Sequence, residues 1–470
     1  MKRYRWLLGC CLFLSIGMLW AADEPDLRML QQKAAQSRDM EGYVGVCKYL
    51  YQTEENPELL LLYADSIHQL ATKSKKPEQL VEYYIWASEG NFIKGDFQQG
   101  YALKRKAIAL AEKAGLKFAI SQSCCDMGYY CNVDARYDSA RYYFRKGLEA
   151  GEDLSEAGEA CRTMLTNYAS SFLFEGKTDS ALVYTIRASE RSAADKDTAM
   201  LIENLNQLGT IYRRKKDLEN CIANFEQALH LCELRGNHNA VAFIYGNIAT
   251  AYCDWNRPGD AIPFSEKAVE YALKTGNKRR IGTCYVNLGA IQTRLVQMRA
   301  EGIATLLKAI PILEEVNDRR LLCDAYNYLV NAYRMDGNLN QAMYYLQKLD
   351  KLAHEMQTDA ERFRYYQAKA GLLQESKKYT EAIVYYRRII DMLRSGYKDT
   401  RDYEHYKRLA DCYLAVNNSS QAYEYLTQAY ALRDSAFHTE QTEQLSEYSV
   451  KYQTKEKELE IVTWRREQLE

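Results

Sequence analysis

The side chains that could do chemistry in this chain of 470 residues are scattered along it. Six histidines, His68, His230, His238, His354, His405 and His438, never pair at i, i+4, the spacing that lets two imidazoles share a metal ion on one helical face. Eleven cysteines follow residue 22: Cys47, Cys124, Cys125, Cys131, Cys161, Cys221, Cys232, Cys253, Cys284, Cys323 and Cys412. They form no C-x-x-C pair and no cluster with metal-ligand spacing, and most are expected to pack as small apolar thiols. No G-x-S-x-G, H-E-x-x-H or glycine-rich phosphate loop is present. Gly176-Lys177-Thr178 has the end of a phosphate loop, but Ser171 stands where its first glycine belongs and the triplet lies in a turn between helices. These absences point to a non-enzyme with no cofactor and no metal.

What does recur is an amide. Asn167, Asn206, Asn247, Asn287 and Asn327 follow one another at intervals near 40 residues. An asparagine side chain both donates and accepts, so a row of them can pair with the backbone of an extended peptide whatever its sequence. Arg213, Arg214, Arg294 and Arg334 lie about two helical turns further on and could take a ligand carboxylate. The competing use of such asparagines is to bond a neighbouring helix and hold the spacing of the array.

The elements that must position these residues are helical hairpins. Leu201 to Gly236 reads as two amphipathic helices joined by the polar turn Lys215-Lys216-Asp217. Leu208-Gly209 and Tyr212 mark the first helix; Cys221, Phe225 and Ala228 recur at +4 and +3 in the second, on one face. The small or medium residue opening each second helix repeats as Gly100, Ala140, Ala181, Cys221, Ala261, Gly302, Ala342, Ala382 and Ala422, every step 40 or 41 residues. The first helices keep the same beat at Ser88, Gly128, Ala169, Gly209, Ala249, Gly289, Val330, Ala370 and Ala410. Self-similarity at such a period is the signature of a solenoid, whose units bury their apolar faces only by stacking on neighbours.

On these residues the chain resembles the tetratricopeptide repeat family. The family's leucine-glycine, tyrosine, alanine, aromatic, alanine spine appears as Leu208-Gly209, Tyr212, Cys221, Phe225, Ala228. It recurs as Met127-Gly128, Ala140, Phe144 and as Leu409-Ala410, Tyr413, Ala422, Ala429. The period departs from the family's usual 34 residues and matches its long-repeat branch. The resemblance implies an all-α superhelix of about nine to ten hairpin repeats with a C-terminal extended helix. It also implies that first helices line a concave groove, which holds a peptide or protein partner and brings the asparagines and arginines to the ligand.

Composition agrees with an array of long helices: prolines number six and the net charge is −1, which gives no field to draw nucleic acid or an anionic membrane. Lys2, Arg3 and Arg5 precede an apolar run from Trp6 to Trp20, and Ala21-Ala22 follow. That is the layout of a secretory signal peptide over 1–22, and it implies a periplasmic or membrane-associated protein. Leu7-Leu8-Gly9-Cys10 comes too early in the run for a lipoprotein site. Residues 23–80 read as an N-terminal cap and a degenerate repeat, and 81–442 as the solenoid, with Gly236 and Gly276 as helix caps and no second globular domain.

Residues 443–470 differ. Leu445, Tyr448, Tyr452, Lys455, Leu459, Val462, Arg466 and Leu469 alternate at steps of 3 and 4, a heptad seam with two charged interruptions. It suits a terminal helix capping the array, or one that forms a homodimer or carries a signal. The run Leu445 to Ile461 resembles the juxtamembrane helix of bacterial sensor histidine kinases with tetratricopeptide ectodomains and of their DNA-binding regulator relatives. That resemblance implies the sensor part of a signal-transduction protein, joined to a membrane only through a downstream span or an uncleaved signal. A truncated reading frame, a free periplasmic scaffold that assembles envelope proteins, and a cytosolic peptide-responsive regulator stay open beside it.

Overall fold

The computed structural model describes residues 27–434, apart from 54–55, 357, 398 and 400–401. The export signal and the 443–470 helix lie outside the described residues. Helices α1 (Leu27–Ser37), α2 (Met40–Thr53) and α3 (Pro57–Ser74) open the chain. Hairpins follow: α4 (Pro77–Lys94) with α5 (Phe97–Ala114), α6 (Lys117–Val133) with α7 (Tyr137–Gly151), and α8 (Gly158–Phe174) with α9 (Thr178–Ala194). Next come α10 (Thr198–Arg214) with α11 (Leu218–Leu234) and α12 (His238–Asp254) with α13 (Pro258–Thr275). The chain forms two compact units, and the first ends at Thr275. The second, from Gly276, holds α14 (Lys278–Arg294) with α15 (Arg299–Glu315) and α16 (Arg319–Met335) with α17 (Leu339–Leu352). It continues with α18 (Asp359–Glu375), α19 (Tyr379–Arg394), α20 (Asp402–Ala415) and helical residues 419–434. No strand occurs among the described residues, so the fold is all-α.

The local cause of each hairpin is written in its turn. At the end of α10, Lys216 takes a left-handed conformation, φ 58, and the Asp217 N–H returns to the Tyr212 carbonyl. Asp217 then caps α11, its carboxylate accepting from the Asn220 N–H at 3.1 Å. Such a carboxylate satisfies a donor that the first turn of a helix leaves orphaned. The left-handed residue recurs between the two helices of a hairpin at Gly95, Ala135, Gly176, Lys216, Asn256, Gly337, Lys377 and Asn417, on the 40-residue beat. It is missing after α14, where a single 3₁₀ turn, Val296–Met298, makes the bend. Between hairpins, Gly236 and Gly276 adopt φ 65 and φ 66.

Packing follows the spine. Ala140, Ala181, Cys221, Ala261, Ala342 and Ala382 are fully buried. Gly209 and Gly128 lie so close to the rings of Phe225 and Phe144 that a Cβ would stand 2.6 Å and 2.4 Å from them. Ten of the eleven described cysteines are buried, Cys253 is half-buried, and none is in a disulfide. Burial pushes the Cys221 and Cys232 thiols up to about 12, so they pack as neutral apolar groups.

Successive first helices touch within each unit: α6 with α8, α8 with α10 and α10 with α12, then α14 with α16 and α16 with α18. Second helices pack on first helices and scarcely on one another. In each unit the first helices therefore form one layer whose members meet, and the second helices form the other.

Candidate ligand groove

The first helices of the first unit are stitched together by polar side chains that cross from one to the next. Asn132 of α6 donates its amide to the Asn167 carbonyl of α8 at 3.0 Å. Between α8 and α10, Thr166 donates to Asn204 Oδ1 at 2.8 Å, Gln207 donates to Ser170 Oγ at 2.8 Å, and Arg214 Nη1 donates to the Leu173 carbonyl at 2.7 Å. Between α10 and α12, Asn247 donates to Asn206 Oδ1 at 2.7 Å. In the second unit Arg364 of α18 pairs with Asp324 of α16 at 2.8 Å. Burial raises the Asp324 pKa, and Arg364 opposes that rise.

The sequence-selected residues fall into different surroundings. Asn167 and Asn206 are buried between first helices, and Asn327 is buried with its Oδ1 accepting from Asn331 at 3.3 Å. Asn247 is half-buried and Asn287 is exposed. The asparagines do not form one stripe. Asn167, Asn247 and Asn287 stand two residues before Ala169, Ala249 and Gly289, whereas Asn206 and Asn327 stand three before Gly209 and Val330. One residue of offset turns a side chain by about 100° around a helix. Arg213 pairs with Asp254 at 3.7 Å, Arg334 pairs with Glu375, and Arg294 is exposed.

Two charged residues of this region escaped the sequence reading. Lys104 stands four residues past Gly100, where Phe144 and Phe225 follow Ala140 and Cys221, and it is fully buried. Its ammonium meets Glu89 at 2.5 Å and Asp126 at 2.9 Å, and Tyr130 donates to the second Glu89 oxygen at 2.6 Å. Two carboxylates keep the lysine protonated, and burial raises the Glu89 pKa against the pull of Lys104. A lysine in place of the spine aromatic was the visible signal.

The second is Glu203, half-buried on α10. Burial alone pushes its carboxyl up to about 8, and no counter-charge acts on it. It is the one acid of α10, and the residues three and four away on either side are Ala199, Met200, Asn206 and Gln207, none a cation. No hydrogen bond or ion pair engages its carboxylate among the described residues. Nor do the described residues hold a group of three histidine, cysteine or acidic side chains placed to bind a metal. No described helix is long and apolar enough to cross a membrane.

Tandem hairpins with small-residue spines, their first helices bonded to one another by polar side chains, define a helical-repeat solenoid. The tetratricopeptide repeat profile matches residues 200–274, the α10 to α13 region. The same hairpin recurs at the same spacing through the described residues, so the matched segment is a tetratricopeptide repeat and the rest of the described array repeats its hairpin fold. No curated protein matches the sequence. Among solved structures, yeast Tom70 aligns with TM-score 0.48 and 17% identity over 78% of this chain and 69% of that one. The apo form of the quorum sensor NprR from B. thuringiensis aligns with TM-score 0.47 and 15% identity over 75% and 97%. Aspartyl phosphate phosphatase F from Bacillus subtilis aligns with TM-score 0.46 and 16% identity over 74% and 92%. Likenesses of this degree say nothing about a ligand.

Proposed function

We propose that the protein is a non-catalytic receptor that holds a peptide or protein segment along its first-helix groove. In this reading it is exported to the periplasm by its N-terminal segment and serves as the sensor part of a signal-transduction protein. The observation that supports binding is the first-helix layer: it is polar and half-exposed at Glu203 and Asn247 in the first unit and exposed at Asn287 in the second, while the spine of each first helix is buried against its partner helix. Basic residues before an apolar run support export, and the heptad seam at 443–470 supports signal transfer or homodimerisation.

A photo-crosslinking residue at Asn287, an exposed first-helix position, tests the binding reading in cells. Capture of one partner there, and none from an outward position such as Val183 on α9, is the expected result. Equal capture from both positions would contradict a groove. Asn247→Ala with Asn287→Ala separates the two uses of the asparagines. Loss of binding with the fold intact marks a ligand role. Melting marks the Asn247–Asn206 bond as structural, and its loss leaves a buried acceptor worth about 1–3 kcal/mol. Fractionation of the tagged full chain checks export: recovery in the cytosol alone would end that part of the reading.

A further inference from the structure

We propose that the groove of the first unit recognises an arginine side chain of its ligand, with the Glu203 carboxylate as the anchoring acceptor. The inference rests on the peptide-binding reading above and specifies its chemistry. Glu203 faces the groove by helix geometry. At 3.6 residues per turn, Gln207 lies about 40° to one side of it and Asn206 about 60° to the other. Gln207 meets Ser170 of the preceding first helix, and Asn206 meets Asn247 of the following one. Glu203 therefore emerges between both neighbours, and Gly209, which packs on Phe225, lies about 120° away.

The balance of charge and hydrogen bonding around it is one-sided. Helices α8, α10 and α12 carry three arginines, and each is engaged elsewhere. Arg162 pairs with Asp195 and Asp197, Arg213 with Asp254, and Arg214 donates to the Leu173 carbonyl. No cation of these three helices remains for Glu203, and its partial burial without a partner is costly. A ligand group that satisfies both oxygens of the Glu203 carboxylate must bring positive charge and two N–H donors in one plane, and a guanidinium does so as a bidentate fork. Phe243, half-buried at the equivalent position of α12, offers an apolar neighbour for the flat face of that group.

A phage-displayed random peptide library panned on the full chain tests this. Arginine enriched at one position of the selected peptides supports the inference. It is carried further if Glu203→Gln weakens those synthetic peptides tenfold or more while Glu203→Asp retains part of the affinity. Circular dichroism of both variants confirms that the fold is kept. Selected peptides with no arginine preference, or with acidic enrichment, overturn the arginine assignment and leave the groove reading standing. Unchanged affinity in Glu203→Gln does the same. No selected peptides at all would count against both.

Discussion

Replacing Gly209 with alanine puts a methyl group 2.6 Å from two carbons of the Phe225 ring, which is itself fully buried. In an open helix the exchange stabilises by roughly 1 kcal/mol, because glycine loses more backbone freedom on folding. Here the ring must leave its site, and overpacking of this kind costs about 1–3 kcal/mol. The net expectation is a loss of about 1 kcal/mol. Gly246 in α12 supplies the contrast: nothing stands within 4 Å of its would-be Cβ. Gly246→Ala should gain about 0.5–1 kcal/mol. Native-state hydrogen exchange reads local stability in a repeat array, where a single global transition is not assured. Amides of α10 and α11 should exchange about fivefold faster in Gly209→Ala, and those of α12 more slowly in Gly246→Ala. If Gly209→Ala also slows exchange, the close contact between first and second helix is not what holds the repeat register.

Glu203 makes stability depend on pH. Its folded pKa of about 8 lies above the ordinary 4.5, so the native state binds more protons than the unfolded state across that window, and stability falls as pH rises through it. The full shift corresponds to at most about 5 kcal/mol, and groove water reduces this to about 1–2. Glu203→Gln should remove the slope, becoming the more stable form at pH 9 and nearly equal to the parent at pH 4; a parallel pair of denaturation profiles would refute it. Lys104→Met strands Glu89 in the interior and leaves the half-buried Asp126 unpaired, and should cost about 3–5 kcal/mol at neutral pH, read by urea denaturation. The deficit should shrink in acid, where Glu89, its pKa raised by burial, takes a proton; a deficit that grows in acid would contradict the pairing.

The array itself was legible because it repeats. Gly128, Gly209 and Gly289 must be small wherever a ring or branched side chain crosses, and any sequence that meets this need every 40 residues announces its hairpins. The turn chemistry was half legible. Asp217 and Asn237 cap helices as their types suggest, but Lys216 and Ala135 in left-handed conformations carry no local mark. The site was read less well. The asparagines were spaced by sequence distance, and a one-residue offset invisible at that scale separates Asn206 from Asn247 around the helix and lets them bond each other.

What the sequence determined alone is the unit: the small spine residues, the amphipathic faces and the beat, all consequences of helical periodicity that need no neighbour. Which polar groups are used up, and which are left facing a ligand, was decided by tertiary contact. Arg213 and Arg214 are free cations on paper, and only the approach of Asp254 and the Leu173 carbonyl engages them. Glu203 is an ordinary surface acid on paper, and only the walls of neighbouring helices desolvate its carboxyl and favour its protonated form.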